Sequence, residues 1–305
     1  MTEDQAAGLR GQEAAASSAM NGAARGVADP FVAVLSGNGG VGKTNLVVNL
    51  AVAAAGLRAR VLVVDGDLGL ANIDVLLGLV SPYNAEDVLA GNCSLEQALM
   101  DGPRGVKILP AATGRSELAA LSRGAIGGFM KMLRAVAPDY DLVLVDVGAG
   151  IGPSALGLAT LCSRALVVTT SEPTSLADAY ATAKILIRGT PHLQVELVVN
   201  GVADELQALS THARIDRMTR RFLKRSVPFR GFLTRDERLI EAVARQSAVV
   251  ELFPTAVSSR QLVKLAQGLL RDHSVAAGET SSPGFDRPEA PVVASTRGVP
   301  ACTRN

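Results

Sequence analysis

The residues best suited to chemistry lie in one run, Ser36-Gly37-Asn38-Gly39-Gly40-Val41-Gly42-Lys43-Thr44. Gly37, Gly42, Lys43 and Thr44 fit the pattern G-x-x-x-x-G-K-[ST]. Glycines at these points let backbone N–H groups wrap a phosphate without Cβ clashes. A helix opening at Asn45 would aim the positive end of its dipole at the same place. Lys43 is expected to reach the β- and γ-phosphates of a nucleotide, and the Thr44 hydroxyl to ligate Mg²⁺. ATP is the expected nucleotide.

Carboxylates end two apolar runs further on: Asp65-Gly66-Asp67 after RVLVV, and Asp146 after DLVLV. A carboxylate at a strand end beside a phosphate loop can hold Mg²⁺ through water, and one near the γ-phosphate can orient the attacking water. Asp146 is assigned to the metal, and Asp67 to water positioning close to that metal. A lone strand-end aspartate also suits a turn or helix cap; three beside one phosphate loop favour the chemical role. Gly148, Gly150 and Gly152 would let the following loop move with the γ-phosphate, although three glycines also make an ordinary turn.

These groups need a scaffold that brings strand ends together. Apolar runs at 31–36, 60–65, 106–111, 141–147, 165–171 and 196–201, with a weaker one at 227–233, read as strands. Most are apolar at every position, as in strands buried on both faces of a parallel sheet. Helical stretches alternate with them, among them Asn45–Gly56, Gly124–Ala137, Ser175–Gly189 and Ala203–Arg225. The expected fold is α/β: a doubly wound, mostly parallel sheet with helices on both faces. Ligands of such sheets bind at the carboxyl ends of the strands, where the motifs above fall. Residues 1–29 and 273–305, rich in small, polar and proline residues, are expected to be a flexible arm and a disordered tail around a domain at 30–272.

Composition narrows the field. Hydrophobic residues make up 48% of the 305 but aromatics only 3%, so Ala, Val and Leu must fill the core. A net charge of +1 gives no overall field for nucleic acid or membrane. Cys93, Cys162 and Cys302 lie far apart, with neither metal spacing nor a disulfide framework, which suits a reducing cytoplasm. Glu3 and Asp4, without an apolar stretch beside them, do not read as a signal peptide, and no apolar run reaches the ~18 residues of a membrane span.

The order of these motifs resembles the MinD/ParA class of P-loop ATPases, and within it the flagellar-number regulators of the FlhG/FleN family. The similarity is carried by SGNGGVGKTN at 36–45, DGDLGLANIDVLLGL at 65–79, DLVLVDVGAGIG at 141–152, SEPTSLADAY at 171–180 and RDERLIEAVARQSAVVELFP at 235–254. DQAAGLR at 4–10 is similar to the short motif by which that family stimulates its partner, the SRP-type GTPase FlhF; Gln5 and Leu9 lie one helical turn apart in it. The resemblance implies an ATP-dependent homodimer, reset by hydrolysis, that limits flagellar number and placement. It implies partners in FlhF, a flagellar C-ring protein and a flagellar transcription activator, with recruitment from the cytoplasm to the cell pole or inner membrane face. It makes Asp67 the catalytic aspartate, with Lys43, and Asp146 the metal-side one. It sets Asn200 and Pro228 around the adenine, although Asn200 also suits a strand-end turn and Pro228 a loop stop.

Two departures stand out. The class carries a signature lysine at the third position of the loop, where this chain has Asn38, so ATP binding is expected to persist while dimerisation and turnover weaken. The family often ends in an amphipathic membrane helix. Here Val257–Arg271, with Leu262, Leu265, Ala266 and Leu269 on one stripe, reads instead as a core-packed helix, so direct membrane binding is not expected. Arg214, Arg217, Arg220, Arg221, Lys224 and Arg225 fall at helical spacing; such a face can meet phosphates or an acidic partner but is more often simply solvated, and without interleaved aromatics nucleic acid is not expected. Alternatives within the class are an ATP-sensing binding module with little hydrolysis, and a positioning ATPase of a non-flagellar polarity system. An iron–sulfur protein of related fold needs closely placed cysteines, which this chain lacks.

Overall fold

Strands that are apolar at every position bury both faces, and the chain uses them to build one sheet between two layers of helices. The computed structural model describes residues 29–67, 72–111 and 123–276. The strands are β1 (Phe31–Leu35), β2 (Val61–Gly66), β3 (Met100–Asp101), β4 (Lys107–Leu109), β5 (Leu142–Val147), β6 (Arg164–Thr169), β7 (Gln194–Val202) and β8 (Phe229–Thr234). They lie in the order β3-β4-β2-β5-β1-β6-β7-β8. All neighbours pair in parallel except β3 and β4.

The helices are α1 (Lys43–Gly56), α2 (Ile73–Leu77), α3 (Ala85–Leu89), α4 (Leu95–Ala98), α5 (Arg123–Val136), α6 (Pro153–Thr160), α7 (Pro173–Gly189), α8 (Glu205–Leu223), α9 (Glu237–Ala244), α10 (Val249–Leu252) and α11 (Val257–Ala276). Side chains of a strand alternate between faces, and β1 shows the consequence. Phe31, Ala33 and Leu35 join a core with α5 to α8, through Phe129, Leu133, Leu158, Leu186 and Ile215. Val32 and Val34 join a second core with α1, α10 and α11, through Leu46, Leu50, Val250, Leu262 and Leu269. With few aromatics, the packing rests on many aliphatic side chains, each worth about 1.5–3 kcal/mol when fully buried.

The expected fold class holds, and the differences have local causes. The strand expected at 106–111 is only Lys107–Leu109, because Pro110 stops it. Before it, Gly102 N–H bonds to Val106 C=O at 2.7 Å and turns the chain so that β3 pairs antiparallel, an edge strand the apolar pattern did not reveal. The weak candidate at 227–233 is a true strand, β8, parallel to β7. Helix α11 carries Leu262, Leu265, Ala266 and Leu269 in the core as expected, but it continues past the expected Arg271 to Ala276. In this last stretch Asp272 accepts from Arg164 on β6 at 3.0 Å and Arg230 on β8 at 2.6 Å, and both arginines also meet Glu196 on β7. The expected flexible arm with its DQAAGLR motif, and the expected disordered tail from 277 onward, lie outside the described residues, as does Cys302.

Candidate functional site

Parallel strands β1, β2 and β5 are neighbours, so their carboxyl ends meet. β1 runs into the glycine loop, and the loop runs into α1. Gly40 and Gly42 have φ of +80° and +84°, a region that residues with a Cβ seldom enter. The loop is packed beneath and open above. A Cβ on Gly37 would meet the backbone of Asp178 on α7 at 2.6 Å, and a Cβ on Gly42 would overlap the Asn200 amide. A Cβ on Gly39 or Gly40 would meet nothing within 4 Å. The first turn of α1 adds N–H groups with no partner inside the helix, aimed at the same opening.

Lys43 is 7% exposed and its Nζ is ion-paired with Oδ1 of Asp146, which is 1% exposed. The same Nζ lies 3.5 Å from the Thr44 hydroxyl. Oδ2 of Asp146 is buried without a hydrogen-bond partner among the described residues. A buried oxygen left in that state is costly. A carboxylate oxygen and a hydroxyl are the hard donors Mg²⁺ takes, so the residues present fit that ion. Burial pushes the Asp146 carboxyl up from its ordinary pKa, and the Asp67 charge adds to this; Lys43 and Thr44 pull against it.

Asp65 stands opposite Asp146 in the β2–β5 register. It is 1% exposed, and burial raises its pKa to about 7, with the Asp146 charge adding to the effect. Its partners are backbone amides: Asp67 N–H at 3.0 Å, Asn72 N–H at 3.2 Å and Ile73 N–H at 3.4 Å. Asp67 is half-buried, and a Cβ on Gly148 would sit 3.3 Å from its Oδ1, a tight contact. Gly150, at φ +93°, donates its N–H to the Ser36 carbonyl at 2.9 Å and ties the loop after β5 to the glycine loop.

The family model of the CobQ/CobB/MinD/ParA nucleotide binding domain matches residues 32–249. The chain belongs to the MinD/ParA family. Within it, this MinD/ParA-family chain is 39% identical over 236 residues to the antiactivator FleN of Pseudomonas aeruginosa, covering 77% of this chain and 84% of FleN. It is 29% identical over 242 residues to the flagellum site-determining protein YlxH of Helicobacter pylori, covering 79% and 81%. Its fold matches the septum site-determining protein MinD of Pyrococcus horikoshii complexed with Mg-ADP, at 24% identity and a TM-score of 0.68, over 81% of this chain and 98% of that one. The resemblance to the flagellar branch is thereby shown.

The MinD/ParA-family site gathers most of the expected residues. Gly37 to Asn45, Asp67 and Asp146 converge at the strand ends. Asn200 joins them from β7, where its Nδ2 donates to the Val41 carbonyl at 2.7 Å. Asn45 accepts from Asn49 at 2.7 Å, and Asn49 in turn accepts from the Val249 N–H at 2.7 Å. Asn38 is half-buried, its Oδ1 lacks a partner among the described residues, and its carbonyl accepts from the Ser36 hydroxyl at 2.8 Å. Pro228 is not brought to this group. Its carbonyl pairs with Leu197 N–H at the start of β8, three residues before Asn200 on β7. At ~3.3 Å per residue that is roughly 10 Å down the sheet. Leu233, at the other end of β8, instead shares a cavity with Gly42, Asn45 and Asn200.

Asp65 is the residue the motif reading left without a role. Its signal was period two: it continues the phase of Val61 and Val63, which face the second core, so an ionisable side chain was bound to be buried there. The basic stretch along α8 and just past its end is partly spent on structure, since Arg220 pairs with Asp216 and Arg225, beyond the helix, donates to the Pro191 and Leu193 carbonyls.

Proposed function

We propose that this chain is an ATP-binding regulatory ATPase that controls the number or placement of flagella. The carrying observation is its 39% identity to FleN across 84% of that protein, in a chain whose Lys43, Thr44, Asp67 and Asp146 meet at the mouth of the glycine loop. The loop amides and Lys43 hold the phosphates. Thr44 and Asp146 hold Mg²⁺, with Asp67 beside them. When bound, Mg²⁺ neutralises charge that builds on the phosphates during transfer. Asp67 orients the attacking water, and the Gly148–Gly152 loop, tied to Ser36, responds to the γ-phosphate. ATP brings two copies together face to face and hydrolysis separates them. The partners in this reading are an SRP-type GTPase of the FlhF kind, met through Gln5 and Leu9, a flagellar C-ring protein and a transcription activator. That FleN is an antiactivator supports the last of these.

The direct test compares the full chain with Lys43→Ala for ATP affinity, mass with ATP and with ADP, and turnover. Wild-type protein that neither binds ATP nor changes mass with it would overturn the reading. Asn38 favours a second reading, an ATP sensor with little hydrolysis that acts by occluding its partner. Turnover at background despite tight ATP binding would select it.

A further inference from the structure

We propose that Asp65 is a positioning residue, whose carboxylate holds the Asp67 amide on one oxygen and the opening of α2 on the other, so that Asp67 is held at its place beside Gly148. The proposal rests on the reading of Asp67 as the water-orienting group. Oδ1 of Asp65 takes the Asp67 N–H at 3.0 Å, and Oδ2 takes Asn72 N–H at 3.2 Å and Ile73 N–H at 3.4 Å. One oxygen is thus bound at Asp67 and the other at the opening of α2. The Asp67 amide leads directly to the carboxylate that packs on Gly148.

The chemistry requires a carboxylate. A buried acid usually meets a cation, but no salt bridge to Asp65 occurs among the described residues, where Lys43 is taken by Asp146. Asp65 spends its acceptors on backbone N–H groups instead. In its ionised form, which predominates above about pH 7, the carboxylate is acceptor-only on both oxygens. An asparagine of the same shape has one acceptor and would set its NH₂ against an N–H at the other end. The clamp is therefore lost on one side by a nearly isosteric change that leaves the glycine loop, Lys43 and Thr44 untouched.

The test uses the full chain and Asp65→Asn. Misplacement of a catalytic group by ~1 Å can cost about 10²-fold in rate, so kcat should fall by that order while ATP affinity stays near wild type. In an Asp67→Ala background, Asp65→Asn should cause no further loss, because one acts through the other. Hydrogen exchange gives a readout independent of turnover: the Asp67, Asn72 and Ile73 amides should exchange faster in Asp65→Asn, and those of α1 and β5 should not. Unchanged exchange at those three amides, or losses that multiply across the double mutant, would overturn the clamp. If Asp65→Asn does not fold, Asp65→Ser carries the same measurements. A wild type without ATPase activity would count against the proposed function alone, since the exchange result still decides the clamp.

Discussion

Asn200 donates its side-chain amide to the Val41 carbonyl at 2.7 Å, and the same nitrogen fills the space that a Cβ on Gly42 would need. Strand β7 therefore props the glycine loop from beneath, and the loop's shape depends on a residue far away in sequence. Asn200→Ala removes a bond worth about 0.5–1.5 kcal/mol. ATP affinity should fall roughly three- to tenfold, measured by calorimetric titration, with turnover at saturation little changed. Gly42→Ala should be more severe, since it meets both Asn200 and a φ of +84°. An Asn200→Ala protein with wild-type affinity would show that the prop is dispensable.

Lys43 and Asp146 neutralise each other in a buried pair. Removing one partner from such a pair typically costs about 3–5 kcal/mol. Lys43→Ala should lose both stability and ATP binding, the first read in urea unfolding and the second by titration. Asp146→Asn should retain ATP binding but lose its dependence on Mg²⁺. Equal Mg²⁺ dependence in wild type and Asp146→Asn would remove Asp146 from the metal.

Asn38 stands where the class carries its signature lysine, and its Oδ1 lacks a partner among the described residues. A charge-assisted hydrogen bond is roughly twice as strong as a neutral one. Asn38→Lys should therefore raise both the ATP-dependent dimer mass and the turnover rate. A lysine variant no faster and no more dimeric would mean that Asn38 is a neutral replacement.

Asp236 joins two helices. It caps α9 by accepting from Arg238 N–H at 3.0 Å, and it takes Ser258 N–H at 3.0 Å and the Ser258 hydroxyl at 2.7 Å from α11. Burial pushes its carboxyl up, but the Ser258 and Arg238 contacts outweigh that and hold it below its ordinary 3.8. A depressed pKa means that the ionised form favours the folded state. The contribution is thus full above the ordinary value and fades as pH falls through the folded one. Asp236→Ala should cost about 1–3 kcal/mol at neutral pH. The gap from wild type should narrow as pH falls below the ordinary 3.8, as followed by urea unfolding. A gap that stays constant with pH would refute the ionic part.

Much of this molecule is written locally. The glycine loop, Lys43 and Thr44 were legible because phosphate binding needs consecutive residues of fixed type. The central strands were legible because burial on both faces leaves unbroken apolar runs, as in β1 and β5. The short pieces were not: β3 and α2 to α4 are too brief to show a period, and the capping boxes at Asn84 and Ser94 act within single turns. The end of α11 has no such signal, since Asp272 meets charges on β6 and β8 rather than continuing an apolar stripe.

By itself the sequence determined the phosphate loop, the strand-end aspartates and the layered α/β plan, since each follows from neighbours in the chain or from a short repeat. Tertiary structure alone decided which of those groups touch. It set Asp146 against Lys43, turned Asp65 into a clamp on the segment bearing Asp67, and made Asn200 a support for Val41. It also put Pro228 at the far end of β8 from the loop. Each of these depends on register between strands that are distant in the chain, and register is fixed by the packing of the whole sheet rather than by any one segment of it.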